Sequence, residues 1–315
     1  VPVSVVIPAH NPHAGRLREV LRALKGQTLR EDLFETILVD NASSSFPSQS
    51  DLLESAPSNL RIVREPALGL TSARIAGFKE ARGEIVVMVD DDNVLAADYL
   101  SEVAGIFQRD PHLGAAGGKS LPVFESAPEP WQSEFFPLLA LRDLGNRELV
   151  AASFRPAGAE SNQYPAFAPI GAGMALRREA ALAWASAIER DPRRSRLDRS
   201  GSELVSGGDN DIVMALIESG WSVGYFPKLS LQHLIPSSRL ETGYIGRLNR
   251  AIQRSWVQVL DLHGANPWKP IAAWTVPLRK AKAYFKYGAW RSPERAIRWK
   301  GACGHFEGRA TLSRR

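Results

Sequence analysis

Three groups of side chains have the types and spacing to do chemistry. Asp90, Asp91 and Asp92 stand at the end of EIVVMVD (84–90), an almost wholly apolar run. Adjacent carboxylates repel one another, so the cluster calls for positive charge nearby. Hard oxygen donors at a strand end suit Mg2+ or Mn2+, which bind through one or two carboxylates and fill their shell with substrate phosphates. A solvated acidic turn capping the next helix fits the same residues, but the position after a buried strand favours metal. The second group is SGGDND (206–211), which leads into IVMALIESGW. Its glycines admit a ligand closely, and Asp209 and Asp211 fall in the first helical turn. A carboxylate there has its charged form favoured by the helix dipole and suits a general base; an N-cap is the other use. The pair is read as one of each. The third group is His233 and Arg239, after the apolar run Lys228–Leu231. Neutral imidazole ligates Mn2+ and a guanidinium clamps phosphate, although a lone histidine is more often structural.

These groups need elements to carry them. VSVVIP (3–8), FETILVD (34–40), Leu60–Val63 and residues 84–90 read as strands, with Leu113–Ser120 a fifth. Between them, Ala14–Gly26, Thr71–Arg82 and Leu95–Arg109 read as helices, the first with leucines at 17, 21 and 24 on one face. Continuous rather than alternating apolar strands, interleaved with helices, indicate an α/β protein with a mainly parallel sheet covered on both faces. Ligands of such sheets sit beyond the carboxyl ends of the strands. The suspects there are Pro8–Asn11, Asp40–Ser43 and Asp90–Asp92. Residues 121–169, Pro-rich with scattered aromatics, are too long for a simple connection and are expected to form a substrate-facing lobe. Residues 190–206 read as a polar, mobile loop.

Composition narrows the classes. The chain has 315 residues, 44% hydrophobic and 23% charged, which excludes a disordered or fibrous protein. The one cysteine, Cys303, excludes an intramolecular disulfide framework and a cysteine-based zinc site. No apolar run approaches the ~18 residues that span a bilayer. VPVSVVIPAHN reads as a buried strand rather than a signal peptide, so the expected compartment is the cytoplasm. The net charge of +5 is unevenly placed. Residues 241–315 hold 15 Lys/Arg against 4 Asp/Glu, and five of the eight tryptophans: Trp256, Trp268, Trp274, Trp290 and Trp299. Two readings fit such a tail. Either its tryptophans pack on the main body while the cations reach into water, or it touches an anionic partner such as the inner face of a membrane.

Taken in order, five blocks resemble the family 2 inverting nucleotide-sugar glycosyltransferases, which have the GT-A fold. They are VVIPAHN, ILVDNASSS, REPALGLTSARIAGFKEARGEIVVMVDDDN, PIGAGMALRREA and GGDNDIVMALIESGW, together covering roughly residues 3–250. Two positions depart from the family pattern: His10 in the first loop, and Gly208 where the family usually has a glutamate. The resemblance implies a GT-A, Rossmann-like, mainly parallel sheet over residues 1–240, with a nucleotide-binding half (1–120) and an acceptor half (121–240). Residues 241–315 follow as a basic, Trp-rich helical extension. It also implies metal-dependent, inverting transfer of a sugar from a nucleotide-sugar, UDP-linked by preference, to a hydroxyl of a glycan, lipid-linked or small-molecule acceptor. Pro8, Asn11, Asp40, Arg74, Asp90, Asp91 and Arg239 would then bind the donor. Asp92 and His233 would hold Mn2+ or Mg2+, Asp209 would be the base, and Asp211 mainly a cap. The alternative is a non-catalytic nucleotide-binding or membrane-surface scaffold on the same fold. A dehydrogenase lacks support, since Gly171-Ala172-Gly173 is only part of G-x-G-x-x-G. A sugar-phosphate nucleotidyltransferase would need a Gly-rich loop after the first strand, and PAHNPHAGR is poor in glycine. No nucleic-acid motif is present, so no nucleic-acid partner is expected.

Overall fold

The computed structural model describes residues 2–151, 164–199, 201 and 204–312. Nine strands are described: β1 (Val3–Ala9), β2 (Phe34–Asn41), β3 (Leu60–Glu65), β4 (Ile85–Met88), β5 (Asn93–Leu95), β6 (Leu113–Phe124), β7 (Leu149–Ala151), β8 (Ala175–Arg177) and β9 (Ser222–Ile235). They form one sheet in the order β3-β2-β1-β4-β8-β6-β9-β5, with β7 also paired to β9. Strands β3, β2, β1 and β4 run parallel. The sheet becomes mixed beyond them, because β8 lies antiparallel between β4 and β6.

Both faces are covered, which explains the unbroken apolar strands. Helices α1 (Ala14–Lys25), α2 (Gln49–Leu53), α3 (Leu70–Glu80), α4 (Tyr99–Arg109), α5 (Arg178–Arg190), α6 (Pro192–Ser195) and α7 (Gly208–Glu218) divide between them. Along β1, Val3, Val5 and Ile7 join Leu17, Leu21 and Leu24 of α1 and Leu100 and Val103 of α4. Val6 points the other way, to Phe78 of α3, Trp184 of α5 and Ile212 and Leu216 of α7. Each such aliphatic side chain, fully buried, contributes about 1.5–3 kcal/mol. The helix expected from Leu95 starts only at Tyr99, because Asn93–Leu95 is taken up by pairing with β9.

Three further helices follow: α8 (Thr242–Leu262), α9 (Val276–Tyr287) and α10 (Pro293–Ala310). Gly301, Gly304 and Gly308 line the α10 face toward α8, and a Cβ at 304 would collide with the Arg250 carbonyl. The two helices therefore pack backbone to backbone. Of the tail tryptophans, Trp256 stacks edge-on against Tyr164 at 5.2 Å and Trp299 donates its indole N–H to the Lys280 carbonyl at 3.0 Å. Trp274 and Trp290 stay exposed. Among the described residues, no helix is long and apolar enough to cross a membrane.

Candidate active site

Strand register brings the chemistry together. Ala9 pairs with Asp40, and Val6 with Met88, so β1, β2 and β4 end side by side and the Asp90–Asp92 turn follows. Asn93 of β5 pairs with His233 of β9, and the Leu234 N–H donates to the Asp92 carbonyl at 2.9 Å. That pairing holds His233 beside Asp92 across 141 positions of chain. A cavity of about 310 Å³ opens over these strand ends. Eight of the ten sequence-predicted residues line it: Pro8, Arg74, Asp90, Asp91, Asp92, Asp209, His233 and Arg239.

Asn11 and Asp40 do not line this cavity. Asn11 takes the left-handed conformation that asparagine tolerates (φ 48°). Its Oδ1 accepts from the N–H groups of Ser44 and Ser45, both at 2.9 Å. It thus ties the loop after β1 to the loop after β2. Asp40 is buried and accepts from the Ser43 N–H at 3.0 Å, with the Arg64 guanidinium at 3.5 Å from its other oxygen.

At the β4 end, Asp92 is buried and fully matched. Arg239 Nη2 lies 2.9 Å from Oδ2 and His233 Nε2 lies 3.3 Å from Oδ1. Burial alone would raise the Asp92 pKa, but the His233 hydrogen bond and the charges of His233 and Arg239 outweigh it and hold it at about 2. Asp91 is the opposite case. Burial, then repulsion from Asp92 and Asp90, pushes it up to about 7.

The Asp92–His233 pair is suited to a divalent cation. Two adjacent ligands of an octahedral ion with 2.1 Å bonds stand about 3.0 Å apart, close to the 3.3 Å between Oδ1 and Nε2. The Arg239 guanidinium already bridges both side chains, with Nη1 3.2 Å from His233 Nε2. A metal ion there would have to compete with that guanidinium for both side chains. Among the described residues no group of three or more His, Cys, Asp or Glu forms a cage, so phosphate and water would complete the shell.

Asp209, also on the cavity wall, stands in the first turn of α7. Its Oδ2 accepts from the Gly171 N–H and its Oδ1 from the Asn210 N–H, both at 3.0 Å. Two amides fix the carboxylate, and among the described residues no ion pair involves it. Beside it, Arg74 donates to Asp198 at 2.7 Å, both side chains 5% exposed. Burial lowers the affinity of Arg74 for its proton, but Asp198, Asp90 and Asp209 more than restore it, so the guanidinium stays charged.

Two expectations are corrected here. Asp211 is not a cap: the N-cap of α7 is Gly207, with no side-chain capping bond. Asp211 is wholly buried, accepting from Trp184 Nε1 at 2.6 Å, Arg194 Nε at 3.0 Å and pairing with His263 Nε2 at 3.0 Å. The described part of the loop 190–206 is not a loose connection either. It forms α6, and its Asp198 and Leu197 are buried. Residues 200, 202 and 203 of that loop, and 152–163 of the expected lobe, lie outside the described residues.

Sequence reasoning missed Asp198, Arg199 and Tyr244, all of which line the cavity. Asp198 fills the space beside Gly208, where a Cβ would collide with its carboxylate. The only hint was a single acid among the arginines of RRSRLDRS. The lobe does reach the site, through Leu138, Leu139 and Ala140.

The fold and cavity define an α/β protein with a polar, acid-rich site at its strand ends. The model of Glycosyl transferase family 2 matches residues 4–182, and the chain belongs to that family. An N-acetylglucosaminyltransferase of Bradyrhizobium elkanii is 31% identical over 124 residues, 37% of this chain and 65% of that protein. An uncharacterized protein of Sinorhizobium fredii is 33% identical over 121 residues, 37% of this chain and 13% of that protein. The chain thus spans less than two thirds of the length of these curated relatives. Among solved structures, GalNAc-T7 with UDP, GalNAc and Mn2+ aligns at a TM-score of 0.56, with 15% identity over 97% of this chain and 55% of that one. The mannosyltransferase PcManGT of Pyrobaculum calidifontis, with GDP-Man and Mn2+, aligns at 0.52, with 20% identity over 93% and 72%. The architecture is GT-A-like: a mixed, largely parallel sheet between helices, followed by α8–α10.

Proposed function

We propose that this chain transfers a sugar from a nucleotide-sugar to an acceptor hydroxyl with inversion at the anomeric carbon. One observation carries the reading. Eight residues from separate chain segments, chosen for nucleotide, metal and base roles, line a single cavity beyond the strand ends. Family membership supports it, and so do the nucleotides and Mn2+ named for the two fold relatives.

In this reading residues 1–240 are the transferase domain and 241–315 the extension, whose Tyr244 and Leu248 also line the cavity. Pro8, Arg74 and Asp90 form the donor side, with Asn11 and Asp40, which lie off the cavity, shaping the loops beside it. Asp92 and His233 hold Mn2+ or Mg2+, and Asp91 and Arg239 flank the diphosphate. A divalent cation bound there supplies the positive charge that a departing diphosphate requires. Asp209, fixed by two amides, takes the proton of the acceptor hydroxyl as that oxygen attacks the anomeric carbon. The bond to the diphosphate breaks with its electron pair leaving on the phosphate oxygen. One displacement inverts the centre, and no covalent enzyme intermediate forms. The acceptor, a glycan, lipid-linked sugar or small molecule, approaches along Leu138–Ala140 and Tyr244.

The deciding experiment is calorimetry with UDP, GDP and dTDP, each with and without Mn2+. Binding of one diphosphate that depends on Mn2+ is expected and names the donor class. No binding to any of the three would overturn the reading in favour of a scaffold that kept only the fold.

A further inference from the structure

We infer that the outer face of α9, with the turns on either side, docks on an anionic lipid surface. The three most exposed large apolar side chains among the described residues all lie here: Trp274 at 75%, Phe285 at 70% and Leu278 at 66%. Leu278, Ala281 and Phe285 share one face at helical spacing, since positions three and four apart stack. Trp274 precedes that face. Gly288, in the left-handed conformation at φ 60°, ends the helix and turns the chain back. The turn brings Trp290 within 5.8 Å of Phe285 and 5.6 Å of Tyr284.

The face is not exposed by fraying. The opposite side of α9 is anchored: Val276 and Ala283 are buried, Tyr284 packs edge-on against Trp299 at 5.2 Å, and Lys280 pairs with Glu307. A firmly seated helix with its bulkiest apolar residues in water needs a partner.

Charge identifies that partner. Residues 262–293 hold six Lys/Arg and no Asp/Glu. Lys282 shares the apolar face, and Arg279 and Lys286 flank it one step round the helix. None of Arg279, Lys282, Lys286 and Arg291 makes an ion pair among the described residues, although eighteen pairs occur elsewhere. A second copy would set like charges against each other. Anionic headgroups would answer the cations while the aromatics and Leu278 enter the acyl boundary, the arrangement of an interfacial helix. With no helix long enough to cross a bilayer among the described residues, the contact is one of lying on the surface.

The test uses the full chain with vesicles of phosphatidylcholine alone and of phosphatidylcholine with phosphatidylglycerol. Co-sedimentation is expected with the anionic vesicles, at least about tenfold tighter than with the neutral ones and weakened by salt. Leu278→Ser with Phe285→Ser should lower that affinity at least about tenfold. Both positions face water, so thermal unfolding should match the parent. Lys282→Glu with Lys286→Glu should abolish the preference for anionic vesicles. Failure of the parent to bind them overturns the inference, as does binding unaffected by the serine pair. A dimer in solution that the serine pair dissolves, without vesicle binding, would assign the face to a second copy instead. Vesicle binding does not depend on sugar transfer, so this inference and the catalytic reading fail separately.

Discussion

Asp92 and Asp209 line one cavity and are held by different chemistry. Asp92 is buried against a guanidinium and an imidazole, which keep its proton affinity very low. Asp209 is held by the N–H groups of Gly171 and Asn210 and is only half-buried. A carboxylate matched by cations is a poor proton acceptor and a good place for a charge. One fixed by two amides has its oxygens held in place at the cavity wall, with no cation matched to them among the described residues. The division of labour follows from the partners, not from the residue type.

The sharpest way to break this contrast is Asp209→Asn. The amide keeps the shape and removes the base, so transfer should fall by about 10²–10⁴-fold. Diphosphate binding measured by calorimetry should stay as in the parent. Loss of both together would mean that Asp209 organises the donor site, and the contrast would collapse.

Beside Asp209 a second test concerns Asp198. Removing it strands the buried Arg74 guanidinium, and breaking a buried pair in this way costs about 3–5 kcal/mol. Asp198→Ala should therefore lower the urea midpoint strongly, with Asp198→Asn lowering it less because one acceptor remains. Equal, small losses would show that water reaches Arg74 and that the pair is not needed to hold this part of the cavity.

The residues at the strand ends were far more legible than those around Asp209, for a physical reason. Pro8 lies in the last residues of β1, and Asp90, Asp91 and Asp92 follow β4; position at the carboxyl end of a buried parallel strand is itself a signal. His233 was readable only as a lone histidine until the Asn93–His233 pairing set it beside Asp92. Asp198 gave no comparable signal. Its partner Arg74 is 124 positions away, and nothing local in an arginine-rich loop announces a buried acid. Asp211 was misread as a cap because acids in a first helical turn usually serve the backbone. Here Trp184, Arg194 and His263, all distant in sequence, claim it instead. The α/β alternation and the covered sheet were plain from continuous apolar runs. The antiparallel insertion of β8, only three residues long, was not.

At the strand end, Asp92→Ala should weaken the Mn2+-dependent part of diphosphate binding at least about tenfold, the scale on which metal sites respond to loss of a partner. Metal-independent binding should change little. If the Mn2+ dependence survives, the cation sits elsewhere and Arg239, not metal, is the natural partner of Asp92.

The smallest effect tests whether α7 is held from behind by charge. His263 lies buried between Asp211, at 3.0 Å, and Glu218, at 2.9 Å, with Arg194 also on Asp211. Burial alone would lower its pKa, but the hydrogen bonds and charges of Asp211 and Glu218 raise it above the ordinary value. A histidine whose folded pKa is raised adds stability that is fully present below its unfolded pKa of about 6.5 and is lost as pH rises through the folded pKa. His263→Gln should therefore lower Tm by a few degrees at pH 6, and the loss should shrink as pH is raised through the folded pKa and the parent gives up its imidazolium. A loss that stays the same as pH rises would show that His263 acts through packing alone. Asp211 would then be balanced by Arg194, and the protonation of His263 would have no part in seating the helix that carries Asp209.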